Sequence, residues 1–141
     1  MPPAALVYDG DCAFCSRCAT VARRLLPPGV LVVAWQGYDL AAAGVTEQRA
    51  QHEALWIGPD GAVAGGAPAV ARALRAAGGP WALAGAVLAV PPVSWLARGV
   101  YRLVAANRYR LPGGTAACRL KDPAAPHPSK ARGGPLHRGR R

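Results

Sequence analysis

Two short continuous apolar runs, "AALVY" at 4–8 and "VLVVAW" at 30–35, most constrain the fold of this chain. Strands buried on both faces of a sheet read as uninterrupted apolar stretches rather than as alternating ones. Between the runs, Phe14, Cys18, Val21 and Leu25 recur at steps of four, three and four, which makes one helical stripe. Ser16, Arg17, Thr20, Arg23 and Arg24 fall on the other side. Pro27, Pro28 and Gly29 then stop the helix, because proline cannot continue it and glycine closes it. Strand, helix and strand within about 30 residues form a βαβ unit, with a right-handed crossover expected.

Downstream, "EALWIGPDGAVAGG" (53–66) reads as two short strands joined by Pro59, Asp60 and Gly61, an antiparallel hairpin. A helix is expected at 67–77. After Gly78, Gly79 and Pro80 come two apolar helical segments at 81–90 and 93–110, parted by Pro91 and Pro92. The class is α/β, and β-α-β followed by β-β-α is the element order of a thioredoxin-like fold. Residues 76–97 carry no charge over 22 positions, but Gly-Gly-Pro at the start and Pro-Pro inside break the run into pieces too short to cross a bilayer. No transmembrane span is expected. Helices packed over the sheet are the plainer reading, and contact with a membrane surface stays open.

A chain of 141 residues supports one domain with one core. Residues 112–141 hold five prolines, five glycines, seven Lys/Arg, one acid and two leucines. That composition cannot bury enough apolar surface to offset its ordering entropy, so the domain is expected at 1–111 with a disordered basic tail behind it. The tail carries +6 of the net +10, which leaves the body mildly basic, and the high isoelectric point is no nucleic-acid signature for the fold. "MPPAAL" has no charged leader region, which makes the cytoplasm the expected compartment.

The chemistry concentrates in "YDGDCAFCSRC" (8–18), where two acids and three cysteines share eleven positions. Cys12 follows the first strand and opens the helix, and Cys15 lies one turn on. Residues three apart in a helical turn stand about 5–6 Å apart, within reach of a disulfide. A thiol at a helix N-terminus faces unpaired N–H groups and the positive end of the dipole, both of which favour thiolate. Cys12 is therefore the expected nucleophile, and Cys15, further inside, the resolving thiol. Asp9, at the end of a buried strand, is a candidate proton relay for Cys15, or a turn residue bonding backbone N–H groups. Asp11 opposes thiolate formation by its charge and is expected to cap the helix instead. Cys18 lies on the apolar stripe and reads as a small buried hydrophobe, with an auxiliary redox role as the alternative. Cys118 sits in the tail, where it is either an extra thiol for the site or incidental.

Three other classes compete. "LVYDGDC" resembles the first motif of the haloacid dehalogenase superfamily, but that phosphoryl chemistry needs a downstream lysine and further acids. After residue 60 the chain offers Asp122 as its one acid, with Lys121 and Lys130 in the tail, so the inventory fails. A metal or iron–sulfur site would use Cys12, Cys15 and Cys18 with Cys118 as a distant fourth ligand. Such cysteine runs usually wrap in loops rather than open a helix, so no metal and no cofactor is expected. Finally, Trp95, Arg98 and Arg102 share a helical face, with Arg108 and Arg110 just beyond. A basic aromatic face can bind nucleic acid or anionic lipid, and the tail can add weak anionic-surface contact. More often such arginines cover apolar surface with their stems.

"YDGDCAFC" resembles the signature of the DCC family of thiol–disulfide oxidoreductases, with Asp9, Cys12 and Cys15 on its Asp-x-x-Cys-x-x-Cys pattern. The likeness extends through "GPDGAV" to "YRLVAANRYRL" (101–111) and covers roughly residues 4–120. It implies a thioredoxin-like fold, dithiol–disulfide exchange and a protein or small-molecule disulfide or thiol as substrate. Better-known thioredoxin-like enzymes carry a proline just before the first hairpin strand, and "TEQRAQHEALW" has none.

Overall fold

The computed structural model describes residues 2–110. The tail reading at 112–141, and Cys118 within it, lie outside the described residues. Four strands, β1 (Ala5–Tyr8), β2 (Leu31–Ala34), β3 (Leu55–Ile57) and β4 (Val63–Gly65), form one sheet in the order β2-β1-β3-β4. Five α-helices accompany them among the described residues: α1 (Ala13–Leu25), α2 (Glu47–His52), α3 (Ala67–Ala77), α4 (Gly79–Ala89) and α5 (Val93–Asn107). β1 pairs with β2 in parallel, Ala5 opposite Leu31, with α1 as the connection. The expected hairpin is β3–β4, antiparallel, with Trp56 opposite Ala64. Its loop closes through Gly58, whose N–H donates to the Ala62 carbonyl at 2.9 Å, while Asp60 Oδ1 accepts the Ala62 N–H at 3.2 Å.

The apolar strand runs are explained by a core on each face of the sheet. On one face Val7, Leu55 and Ile57 pack with Leu40, Val45 and Ala50. On the other, Trp56 and Ala64 pack with Leu26 of the α1 C-cap and Ala69 of α3, joined by Leu6 and Val32. The first of these cores needs a cover that the sequence reading left unassigned. Residues 35–52 supply it, with a 3-10 turn at Trp35–Gly37 and the short helix α2, which Thr46 caps by accepting the Arg49 N–H at 3.3 Å.

Two expectations are corrected. Cys18 is exposed, not buried. The side of α1 that meets the sheet is Ala19 with Ala22, one position off the Phe14–Cys18–Val21–Leu25 stripe. A helical period identifies a stripe but not what covers it, and small residues let α1 approach the sheet closely. The last two helical segments also differ in extent: α4 begins at Gly79 rather than 81, and α5 ends at Asn107 with a turn at 108–110.

α3 and α4 pack at short range because Gly85 has no side chain. A Cβ there would lie 2.5 Å from the Ala71 carbonyl oxygen and 2.8 Å from both Cγ and the backbone N of Arg75. Backbone atoms cannot swing aside as a side-chain tip can. Gly85→Ala is expected to destabilise the fold by about 1–3 kcal/mol, by overpacking. Urea unfolding checks this, and an unchanged midpoint would mean that the two helices separate at little cost.

Candidate active site

The site forms where the C-terminal end of β1 meets the N-terminus of α1. Cys12 is the helix N-cap, in extended conformation, and its Sγ accepts the Cys15 N–H at 3.3 Å. This corrects the expectation that Asp11 caps the helix. Asp11 is exposed, and its N–H donates to Asp9 Oδ1 at 3.1 Å. Asp9 is thus the residue that holds the turn, with the Cys12 N–H donating to its carbonyl at 3.3 Å. The order of depth between the two thiols is also reversed. Cys12 is 0 % exposed, whereas Cys15, expected further inside, is half-buried.

Asp9 is itself 5 % exposed, and a carboxylate so deep needs partners. It has three. Oδ1 accepts from Trp35 Nε1 at 3.3 Å as well as from the Asp11 N–H, and Oδ2 lies 3.3 Å from Arg108 Nη2. Arg108 comes from the turn after α5. The same guanidinium donates to the Gln51 carbonyl and to Tyr109 Oη at 3.0 Å, and stands 4.8 Å from the centre of the Tyr109 ring. Its Nη1 points at Cys15 Sγ, 3.9 Å away. The two ends of the described chain are therefore joined across the site.

These surroundings separate the thiols electrically. Cys15 is pushed from 9.0 up to about 12, first by burial, then by the Cys12 hydrogen bond and charge, with Arg108 pulling the other way. Cys18 is also raised, by partial burial and then by Cys12. At neutral pH both stay protonated, and Arg108 is the cation placed to receive a thiolate on Cys15.

Alongside α1 runs an open groove of about 410 Å³, walled by Phe14, Val21, Leu25, Val70, Leu74 and Val104. Asp9, Cys15 and Arg108 line it too, by the first turn of α1, and Cys18 sits on its rim. The stripe read as core is the groove wall. Just before β3 stands Ala54, whose N–H donates to Tyr101 Oη on α5 at 2.8 Å. Among the described residues no group of three or more His, Cys, Asp or Glu is arranged to hold a metal ion.

The family model for the DCC1-like thiol-disulfide oxidoreductases matches residues 6–114. The chain belongs to that family. Neither the curated proteins nor the solved structures gave a match. Membership and the mixed α/β order together make the fold thioredoxin-like, and the family makes thiol–disulfide oxidoreduction the class of chemistry. The Cys-x-x-Cys spacing is carried by Cys12 and Cys15 at the start of α1.

Sequence reasoning missed Arg108, grouping it with the solvated arginines of the last helix, and missed Trp35, read as a strand residue. The signal that pointed to both was Asp9: an acid at the end of a strand buried on both faces requires a cation and donors from elsewhere. An experiment on Cys15 tests the electrostatics directly. In Cys12→Ser the hydrogen bond and charge that raise Cys15 are gone, so its alkylation rate should turn on at lower pH than in the parent protein. Adding Arg108→Gln should move it back up. Rate against pH, read by mass spectrometry on the Cys15 peptide, checks both signs.

Proposed function

We propose that this protein exchanges a dithiol for a substrate disulfide, with Cys12 as the attacking thiol and Cys15 as the resolving one. The observation that carries the reading is the arrangement of Cys12 at the N-cap of α1 with its Sγ taking the Cys15 N–H, beside a Cys15 thiol held near 12. Exposure alone would favour Cys15 as the nucleophile. The N-cap position favours Cys12, and burial together with the neighbouring Cys12 raises the Cys15 thiol and so lowers its share of thiolate. The thiolate is the reacting species, so a local opening that uncovers Cys12 is the smaller obstacle.

In the first step the Cys12 thiolate attacks one sulfur of the substrate disulfide. A Cys12–substrate mixed disulfide forms, the substrate S–S bond breaks and the other half leaves as thiolate. Cys12 then no longer bears charge, and two of the three causes that raise Cys15 disappear while Arg108 remains. Burial, the largest cause, remains, but Cys15 gives up its proton more readily at the stage where it must react. Its proton passes to Asp9, which shares Arg108 with it, and the Cys15 thiolate attacks Cys12 Sγ. The Cys12–Cys15 disulfide forms, the mixed disulfide breaks, and the second substrate thiolate takes the proton. The substrate gains two electrons and the protein gives up two; run backwards, the same steps oxidise a dithiol.

The dithiol is the redox carrier in this scheme, which needs no further cofactor, and a reducing compartment such as the cytoplasm would return the pair to its starting state. Asp9 and Arg108 act on Cys15, Asp11 only through its backbone N–H, and Cys18 stays outside the exchange. The apolar groove beside Cys15 favours disulfides flanked by apolar groups, whether on a protein or a small molecule.

Turnover of an aromatic disulfide reporter tests the roles. Cys12→Ser and Cys15→Ser should each abolish it, and Cys15→Ser should accumulate a mixed disulfide on Cys12, visible as an added mass. Cys18→Ala should keep most of the activity. A folded Cys18→Ala protein without turnover would sink the two-cysteine scheme.

A further inference from the structure

α4 has the composition of a buried helix and the position of a surface one. Its sequence, "GPWALAGAVLA", is apolar all round, a pattern stable in water only if neighbours cover every side. α3 covers the side at Gly85, and the opposite side is bare: Leu83 and Val87 are 70 % and 49 % exposed. α5, which follows after Val90, Pro91 and Pro92, also carries exposed apolar residues: Trp95, Leu96 and Leu103 are 67 %, 70 % and 66 % exposed. On α5 the helical period places Leu96, Val100 and Leu103 together, with Trp95 at the edge and Arg98 and Arg102 next to it. Tyr101, Val104 and Arg108 turn to the groove, so α5 presents one face to the site and another outward.

Charge selects what covers this face. Residues 61–110 hold six arginines and no Asp or Glu, and the charged residues of α4 and α5 are Arg98 and Arg102. A second copy laid face to face would bring Arg98 and Arg102 against their own equivalents, with no acid from either helix to pair them. An anionic surface has the opposite sign. No single helix among the described residues is long and apolar enough to cross a membrane, and the α4–α5 pair, though apolar enough together, is bent by 96°. Such a pair lies along an interface more readily than it spans one.

We propose that the α4–α5 face docks on an anionic lipid bilayer. Leu83, Val87, Trp95, Leu96 and Leu103 enter the boundary between headgroups and acyl chains, and Arg98 and Arg102, at its edge, meet the phosphates. Tryptophan suits that boundary because its ring is apolar and its N–H is not. The inference is independent of the dithiol chemistry, and Cys12→Ser should bind as the parent does.

The test is co-sedimentation of the full chain with vesicles of phosphatidylcholine containing about one-third phosphatidylglycerol, and with pure phosphatidylcholine. Binding to the anionic vesicles only, weakening as salt rises from about 50 to about 200 mM, is expected. Leu83→Ser/Leu96→Ser/Leu103→Ser keeps the net charge and should cut binding at least about tenfold. Arg98→Gln/Arg102→Gln should weaken it and flatten the salt dependence. Tryptophan emission should shift to the blue on binding, and Trp95→Phe should remove most of the shift, since Trp56 is buried, Trp35 sits in the site and Trp81 lies on the α3 side of α4. Circular dichroism confirms that each variant is folded. Binding undiminished in the triple serine protein would assign it to the tail's charge and overturn the proposal. So would no binding at all, or a dimer that the triple substitution splits.

Discussion

The Asp9–Arg108 pair is the interaction on which the rest of the site depends. It joins the end of the first strand to the turn after the last helix of the described chain, with side chains 5 % and 11 % exposed. Removing one member of a buried pair leaves the other charge without compensation, at a cost of about 3–5 kcal/mol. Arg108 gives the buried Asp9 carboxyl its cationic partner, and Asp9 joins the Gln51 carbonyl and Tyr109 Oη in holding the guanidinium inward. Once in place, the arginine reaches Gln51 ahead of β3 and Cys15 on α1, so one guanidinium sets how α5 sits against the start of α1.

From that geometry the cysteines acquire different characters. Cys12 caps the helix and receives an N–H; Cys15 is kept neutral by burial and by its neighbour; Cys18, three residues on, lies on the rim of an apolar groove. The arrangement is self-timing in the proposed exchange. The charge on Cys12 that suppresses Cys15 vanishes when Cys12 is consumed, and Arg108 is already within 3.9 Å to hold the next thiolate. In that exchange the burial of Cys12 would guard the attacking sulfur until the local structure opens.

The helices after the hairpin form a layer with two uses. α3 closes the sheet with Ala69 and meets α4 through Gly85, while α5 gives the groove Tyr101 and Val104 and gives solvent Leu96 and Leu103. In the proposed docking, one helix would link a position at the lipid surface to a position at the dithiol. Docking through its outer face would set the groove at a fixed attitude to the membrane, where substrates with apolar flanks are concentrated.

The βαβ unit, the hairpin and the three following helices were legible in the chain because each rests on a local signal: continuous apolar runs, Pro and Gly punctuation, and a 3.6-residue period. The Cys-x-x-Cys pair at a helix start was legible for the same reason, as spacing and helix-end electrostatics are local. What covers a stripe is not local. Phe14, Cys18, Val21 and Leu25 were read correctly as one helical line and wrongly as core, because Ala19 and Ala22, being small, let α1 meet the sheet one position away. Nor could the sequence order the depths of Cys12 and Cys15, or pick Arg108 out of four arginines between 98 and 110. Those outcomes depend on a contact between residues 99 apart in the chain, Asp9 and Arg108. Only the closed tertiary structure brings them to 3.3 Å, and burial then makes the pairing obligatory.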